Sequence, residues 1–519
     1  MQRRDVLRAG AGALALGAVG TVTSARTPDP YAPLGETTAA GTMEVTVSGD
    51  GQTAFAATGD GFACIDVSDP ANPTVVAEQK ELLKDEENGP LAHVADVKVD
   101  GNRLLVVAPN QPSRNKVTKA ALLYDVSDPA KPKQLAVKKV DHAIHNSDLT
   151  DGYVYLCRSD FNRESMRTFD VSDDSFTEVS DYGIVDYDEK WKEVHGYLRS
   201  LHDLYIQGDY AYWANWEAGT FVVDISDRAN PRVVARLGGL DASKLAQVKQ
   251  QDFTKIALQP PGNNHYVTVD DAAETLYVGA ESWDMNPDDS KRGSSGIDVW
   301  DISDLSSPEK LSTVFAPTAP DESRQGKFTT SHNFDVHGGR LYTSWYFGGV
   351  MVHDVSDPAN PDRLAWWRQP ESKMFWGAKF AGDRDFFVAG NMGPGQDNDG
   401  GVMTFPDRAG EMADPPDVFR APEESSRVTE TDWPDYIQNQ KSTTTTSEPT
   451  TTQQPTTADP TTSEPTTTAE STTTGTTASS GETTATSEES DGGATPGFGL
   501  LATLGGLGLG AARLVRKRD

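Results

Sequence analysis

The chain has 519 residues, of which 36% are hydrophobic, and a formal charge of −32. So large an acidic excess excludes nucleic acid and anionic membrane surfaces as partners of the protein body, because both would repel it. Spread along the chain, the same excess suits solubility in very high salt, where screening removes the self-repulsion.

Residues 1–25, "MQRRDVLRAGAGALALGAVGTVTSA", join paired arginines Arg3 and Arg4 to a short apolar run and a small-residue ending. That order reads as a cleavable export signal. The arginine pair with Asp5, Val6 and Leu7 resembles a twin-arginine signal, although Gln2 stands where Ser or Thr is usual. The resemblance implies export in the folded state by the twin-arginine machinery; an ordinary secretory signal is the other reading. Residues 26–42 form a lead segment before the first repeat.

From residue 43 to 420 one pattern recurs. "DVSDPANP" stands at Asp66–Pro73 and again at Asp354–Pro361, with near-copies at Asp125–Pro132, Asp170–Phe176, Asp224–Pro231 and Asp301–Pro308. Each copy closes an apolar strand such as "ALLYDV" or "TFVVDI". A second strand lies upstream ("NRLLVVA", "DYAYWA"), a third above that ("HVADVKV", "HDLYI"), and a fourth follows the proline ("PTVVAE"). Four strands per unit, joined by tight turns, predict propeller blades. Two degenerate units, opening at Met43 and Trp376, bring the count to seven. The expectation is an all-β, seven-bladed β-propeller of four-stranded antiparallel blades. Asp and Ser bond nearby backbone amides and Pro presets φ, so "DVSDP" is a structural corner copied by duplication. The strands "TFVVDIS" and "ALLYDVS" resemble the LVIVD repeat of bacterial and archaeal cell-surface proteins, which also implies a propeller.

Loops that enter the first strand or join the second to the third emerge on one face. There lie the insertions Lys80–Ala92, Pro109–Lys119, Asp181–Leu201, Gly238–Asn264, Trp283–Gly296 and Asn391–Gly400. Long loops on a rigid scaffold are where binding concentrates. Trp216, Trp283, Trp345 and Tyr346 end second strands on this face and are candidate ligand-binding residues, or else plugs between blades. Five histidines, His93, His145, His202, His265 and His332, open the innermost strands of successive blades, with Met43 and Trp376 at the corresponding places elsewhere. Equivalent positions around a ring converge on the channel, so these imidazoles are candidate ligands for Zn, Cu or Fe. WD-repeat propellers use a recurrent histidine near this point in structural hydrogen bonds, and both roles stay open.

Cys64 and Cys157 lie in apolar strands of different repeats and are expected to be buried free thiols. Acidic stretches at Asp284–Asp289 and Asp397–Gly400 begin like calcium loops but lack the closing glutamate, and read as solvated loops.

Residues 421–441 form a linker, and 442–495 are almost wholly Thr, Ser, Pro, Glu and Gly, a composition that cannot start a core and predicts a disordered, O-glycosylated stalk. The end, 496–519, joins Pro496-Gly497-Phe498 to a weakly apolar run and the basic residues Arg513, Arg516, Lys517 and Arg518. It resembles the PGF-CTERM sorting signal of archaeal surface proteins, which implies archaeosortase cleavage and a membrane lipid anchor; a short membrane helix is the other reading. With the acidic composition, this suggests a haloarchaeal type of protein on the outer face of the cell membrane.

Two function classes follow. One is a surface-anchored binding or interaction module engaging a cell-envelope or environmental ligand. The alternative is a metal-dependent enzyme, redox chemistry included, with its metal in the channel mouth; propellers of the selenium-binding and methanethiol oxidase type are similar at the level of fold and histidines.

Overall fold

Each "DVSDP" corner folds by itself. Oδ1 of Asp66, Asp125, Asp170, Asp224, Asp301 and Asp354 accepts the backbone N–H of the serine two residues on, at 2.8–2.9 Å. The second aspartate repeats the device: Asp69 accepts the Ala71 N–H and Asp227 that of Ala229. One residue before each corner, the pairing of third and fourth strands slips by one residue, as between Cys64 and Ile65 or Val222 and Val223. Such a bulge bends the chain into the turn.

The computed structural model describes residues 30–112, 116–284, 294–382, 384–394 and 400–413. The segments read above as export signal, linker, stalk and sorting signal lie outside the described residues, as does most of both acidic loops. Seven sheets surround one axis; in the first five, four consecutive strands pair antiparallel in sequential order, and the last two add strands from the chain's ends. In the fourth blade these are Asp203–Gln207, Tyr210–Asn215, Gly219–Asp224 and Arg232–Leu237. Second and third strands lie between neighbouring blades and are apolar on both faces: Gly61–Asp66 is buried at all but its last residue. Outer strands alternate with solvent, and Thr74–Lys80 and Lys133–Lys139 carry charges that blunt the exposed edge.

Ring closure comes from the lead segment. Gly35–Thr38 is the outermost strand of the last blade, antiparallel to Gly401–Pro406 with Gly35 opposite Thr404 and Thr38 opposite Gly401. Just before it, buried Tyr31 donates its hydroxyl to the Pro406 carbonyl at 3.0 Å and stacks near Phe405. Gly410–Glu411 then adds a parallel fifth strand to the sixth blade. The first and last strands of the ring are thus tied to each other across the whole sequence.

Cys64 and Cys157 are buried and free, as expected. The two longest insertions fold into short helices, among them Gly196–Arg199 and Phe253–Leu258, which pack on the loop-rich face. Among the described residues no helix is long and apolar enough to cross a membrane.

Candidate functional site

The start of each innermost strand aims a side chain at the axis. At His145, His265 and Trp376 the first strand slips register against the second, between Ile144 and Ser147, Asn264 and Tyr266, and Phe375 and Gly377. A bulge re-aims the extra residue. All seven equivalent residues, Met43, His93, His145, His202, His265, His332 and Trp376, line one cavity of about 500 Å³ on the loop-rich face. Tyr197, Thr254 and Leu258 from the inserted helices also line it.

Four of the five histidines pack ring against ring. Centroids are 3.9 Å apart for His145 and His202, 3.7 Å for His202 and His265, and 4.9 Å for His265 and His332; Trp376 continues the row 4.1 Å from His332. His93 is instead exposed at the rim, where a left-handed backbone (φ 60°) swings it away from the strand direction.

Hydrogen bonds assign the tautomers. Nδ1 of His145 faces the Asn110 carbonyl at 2.6 Å, that of His202 the His265 carbonyl at 2.8 Å, and that of His332 the Trp376 carbonyl at 2.6 Å. A carbonyl only accepts, so each Nδ1 carries the proton and each Nε2 keeps its lone pair. Two of these bonds latch one blade to the equivalent residue of the next. Burial holds the imidazoles neutral: it pushes His145 down to about 4, His332 to about 3, and His202 and His265 well below the usual value.

Glu281, the last residue of the second strand Thr275–Glu281, reaches this row. Its Oε2 is 3.2 Å from Nδ1 of His265, and its Oε1 accepts the Tyr346 hydroxyl at 2.7 Å. Burial pushes its carboxyl up to about 7. One ligand atom from each of His265, Glu281 and His332 lies within 4.8 Å of the other two.

Trp216, Trp283 and Tyr346 line the cavity as the sequence suggests, and all three are almost fully buried. Trp345 does not: it packs between blades and donates Nε1–H to Thr343 Oγ1 at 2.6 Å. Arg324 lies over the Trp283 ring, 4.5 Å from its centroid, and lines the same wall. Among the described residues no hydrogen bond or ion pair engages its guanidinium. Sequence reasoning missed Glu281 and Arg324. The signal for Glu281 was a lone acid ending an apolar second strand, where other blades have Ser159, Asn215 and Asn391.

Further down the same strands the channel becomes ionic. Lys98 Nζ contacts Asp96 Oδ1 at 2.5 Å and lies 3.9 Å from Glu44 Oε1; Ser147 donates to Asp96 and Asn333 to Glu44. Against the desolvation that burial imposes, these carboxylates hold Lys98 above its usual value.

The family model of the LVIVD repeat matches residues 40–79 and 199–237, the first and fourth blades. The chain carries LVIVD repeats. That repeat on a propeller supports an interaction module in general terms. A search of curated proteins finds no match. Among solved structures, the chain is similar to the β-propeller domain of Cps50 (Swd1) from Myceliophteria thermophila, with 9% identity, 73% of this chain and 99% of that one covered, and a TM-score of 0.49. It is likewise similar to hydrazine synthase of Kuenenia stuttgartiensis, with 12% identity, 74% and 98% covered, and a TM-score of 0.46.

Proposed function

We propose that the LVIVD propeller is an exported, C-terminally anchored binding module of the cell surface whose cavity takes a small organic anion with an apolar body. The cavity carries this reading. Its walls are Trp216, Trp283 and Met374, its floor is a row of neutral imidazoles, and its one cation beside Trp283 among the described residues is Arg324. Apolar walls with a few convergent polar groups are the usual makeup of a small-molecule site. A guanidinium that no carboxylate engages among the described residues suits a carboxylate or similar group. Display rests on the two chain ends, which resemble an export and a sorting signal.

Titration with a series of short aromatic and aliphatic carboxylates, followed by intrinsic tryptophan fluorescence, tests the cavity. We expect saturable change in the wild type and at least ~10-fold weaker binding in Arg324→Met, about the worth of one charge-assisted hydrogen bond. No saturable response, or equal affinity in the variant, overturns the anion reading. Deleting Pro496–Asp519 tests display: the truncated chain is expected in the medium, and firm membrane retention overturns anchoring.

A further inference from the structure

Two nitrogen atoms on the cavity floor are placed in a way that hydrogen bonding alone does not explain. Nε2 of His265 and Nε2 of His332 stand 3.2 Å apart. Nδ1 of His332 is bonded to a carbonyl, so its Nε2 has a bare lone pair. Nδ1 of His265 is flanked by Glu281 Oε2 at 3.2 Å and Asn263 Oδ1 at 3.3 Å. The Asn263 amide is fixed in that sense, because its Nδ2 donates to the carbonyls of Ala257 and Glu281. With acceptors around it, Nδ1 of His265 holds the proton, and its Nε2 is bare as well. Two lone pairs therefore face each other at hydrogen-bond distance inside a buried site, a repulsive arrangement that a shared cation turns into an attractive one.

The spacing fits a metal ion. Tetrahedral bonds of about 2.0–2.1 Å from a zinc-type ion to imidazole put the two nitrogens about 3.3 Å apart. The surroundings fit too. Each ring is braced through Nδ1 by an oxygen acceptor, the arrangement that orients metal-bound histidines. Glu281 brings a carboxylate oxygen to the same cluster, one ligand atom of each of the three residues lying within 4.8 Å of the other two; Asn263 Oδ1 keeps Nδ1 of His265 braced when that oxygen turns to an ion, and the other Glu281 oxygen is held by Tyr346. Imidazole donors exclude calcium and magnesium, which take oxygen, and select a divalent first-row transition ion.

We propose that His265, His332 and Glu281 form a binding site for a divalent transition-metal ion of the zinc class, with its remaining coordination positions open to the cavity. His202, its ring tilted against that of His265 with centroids 3.7 Å apart, holds that ring from behind, and His93, exposed at the rim, takes no part. The site stands independently of the anion reading, since zinc is tested with no organic ligand present.

The full chain, purified without an affinity tag and stripped with EDTA, is titrated with zinc chloride by calorimetry. The wild type is expected to take up one equivalent. His265→Ala and His332→Ala each abolish that uptake, Glu281→Gln weakens it about 10–100-fold, and His93→Ala leaves it unchanged. Where an alanine variant does not fold, Tyr346→Phe, which leaves the ligands in place but frees one Glu281 oxygen, weakens uptake by at least severalfold. Cobalt loading adds a second readout: a visible d–d spectrum that Glu281→Gln shifts. Less than a tenth of an equivalent bound by the wild type, or full uptake by folded His265→Ala and His332→Ala, overturns the site.

Discussion

Truncating Tyr31 to Ala should loosen the whole ring, although the residue lies before the first repeat. Its ring is 1% exposed, stacks near Phe405, and places a hydroxyl on the Pro406 carbonyl; its own N–H reaches the Glu411 carbonyl at 2.6 Å. The backbone bond survives the substitution, so the cost is the lost aromatic packing plus one unsatisfied acceptor. Emptying such a site costs about 3–5 kcal/mol. Near 60 °C unfolding gains about 2.1 cal/mol/K of entropy per residue, and the described propeller of roughly 370 residues therefore gains about 0.8 kcal/mol/K. The expected fall in Tm is about 4–6 °C, measured by differential scanning calorimetry. Tyr31→Phe, which removes only the hydroxyl, should lower it by about 1–2 °C, for an unmade bond worth about 1 kcal/mol. An unchanged Tm in Tyr31→Ala would refute closure through the lead segment.

The ion pairs of the channel and the turns make further tests. Lys98→Met strands Asp96 and leaves Glu44 only the field of Lys379, and should cost about 3–5 kcal/mol, visible as a Tm drop of several degrees; a neutral result would mean that Lys98 does not balance those acids. The hydrogen bond from Ser226 and the Arg232 guanidinium hold Asp224 down to about 2. Its folded value is below the unfolded ~3.9, so its contribution is present above pH ~4 and lost as pH falls toward 2. Asp224→Asn should flatten the fall of Tm between those pH values, and equal slopes in variant and wild type would remove the turn from the acid response.

The blades were legible because duplication repeats a corner that needs only local chemistry: Asp Oδ1 on the serine amide works the same way in every copy. The histidine row was legible for the same reason, since equivalent strand starts must converge in a closed ring. What local chemistry does not contain was harder to see. Gly35–Thr38, "GETT", is strand only because Gly401–Pro406 offers it an edge, and nothing in four small or polar residues announces that. Trp345 and Tyr346 are neighbours in sequence yet go to different places, both lying past the strand end at Ser344, where Tyr346 takes up a left-handed φ of 47°. His93 leaves the row by a similar left-handed residue. Glu281 looked like any polar strand end until the fold set it against His265, one blade's second strand serving its own first.

The proposed function puts ligand and metal in the cavity on the loop-rich face. A crystal structure of the protein isolated from its own host, with no tag, chelator or added ligand, measures that directly. We expect electron density beyond water in the cavity, between the His265 and His332 rings and extending toward Trp283 and Arg324, with anomalous signal at a first-row metal edge where the two Nε2 atoms meet. A cavity holding only water, with a ligand or partner seated on the "DVSDP" face instead, would contradict it.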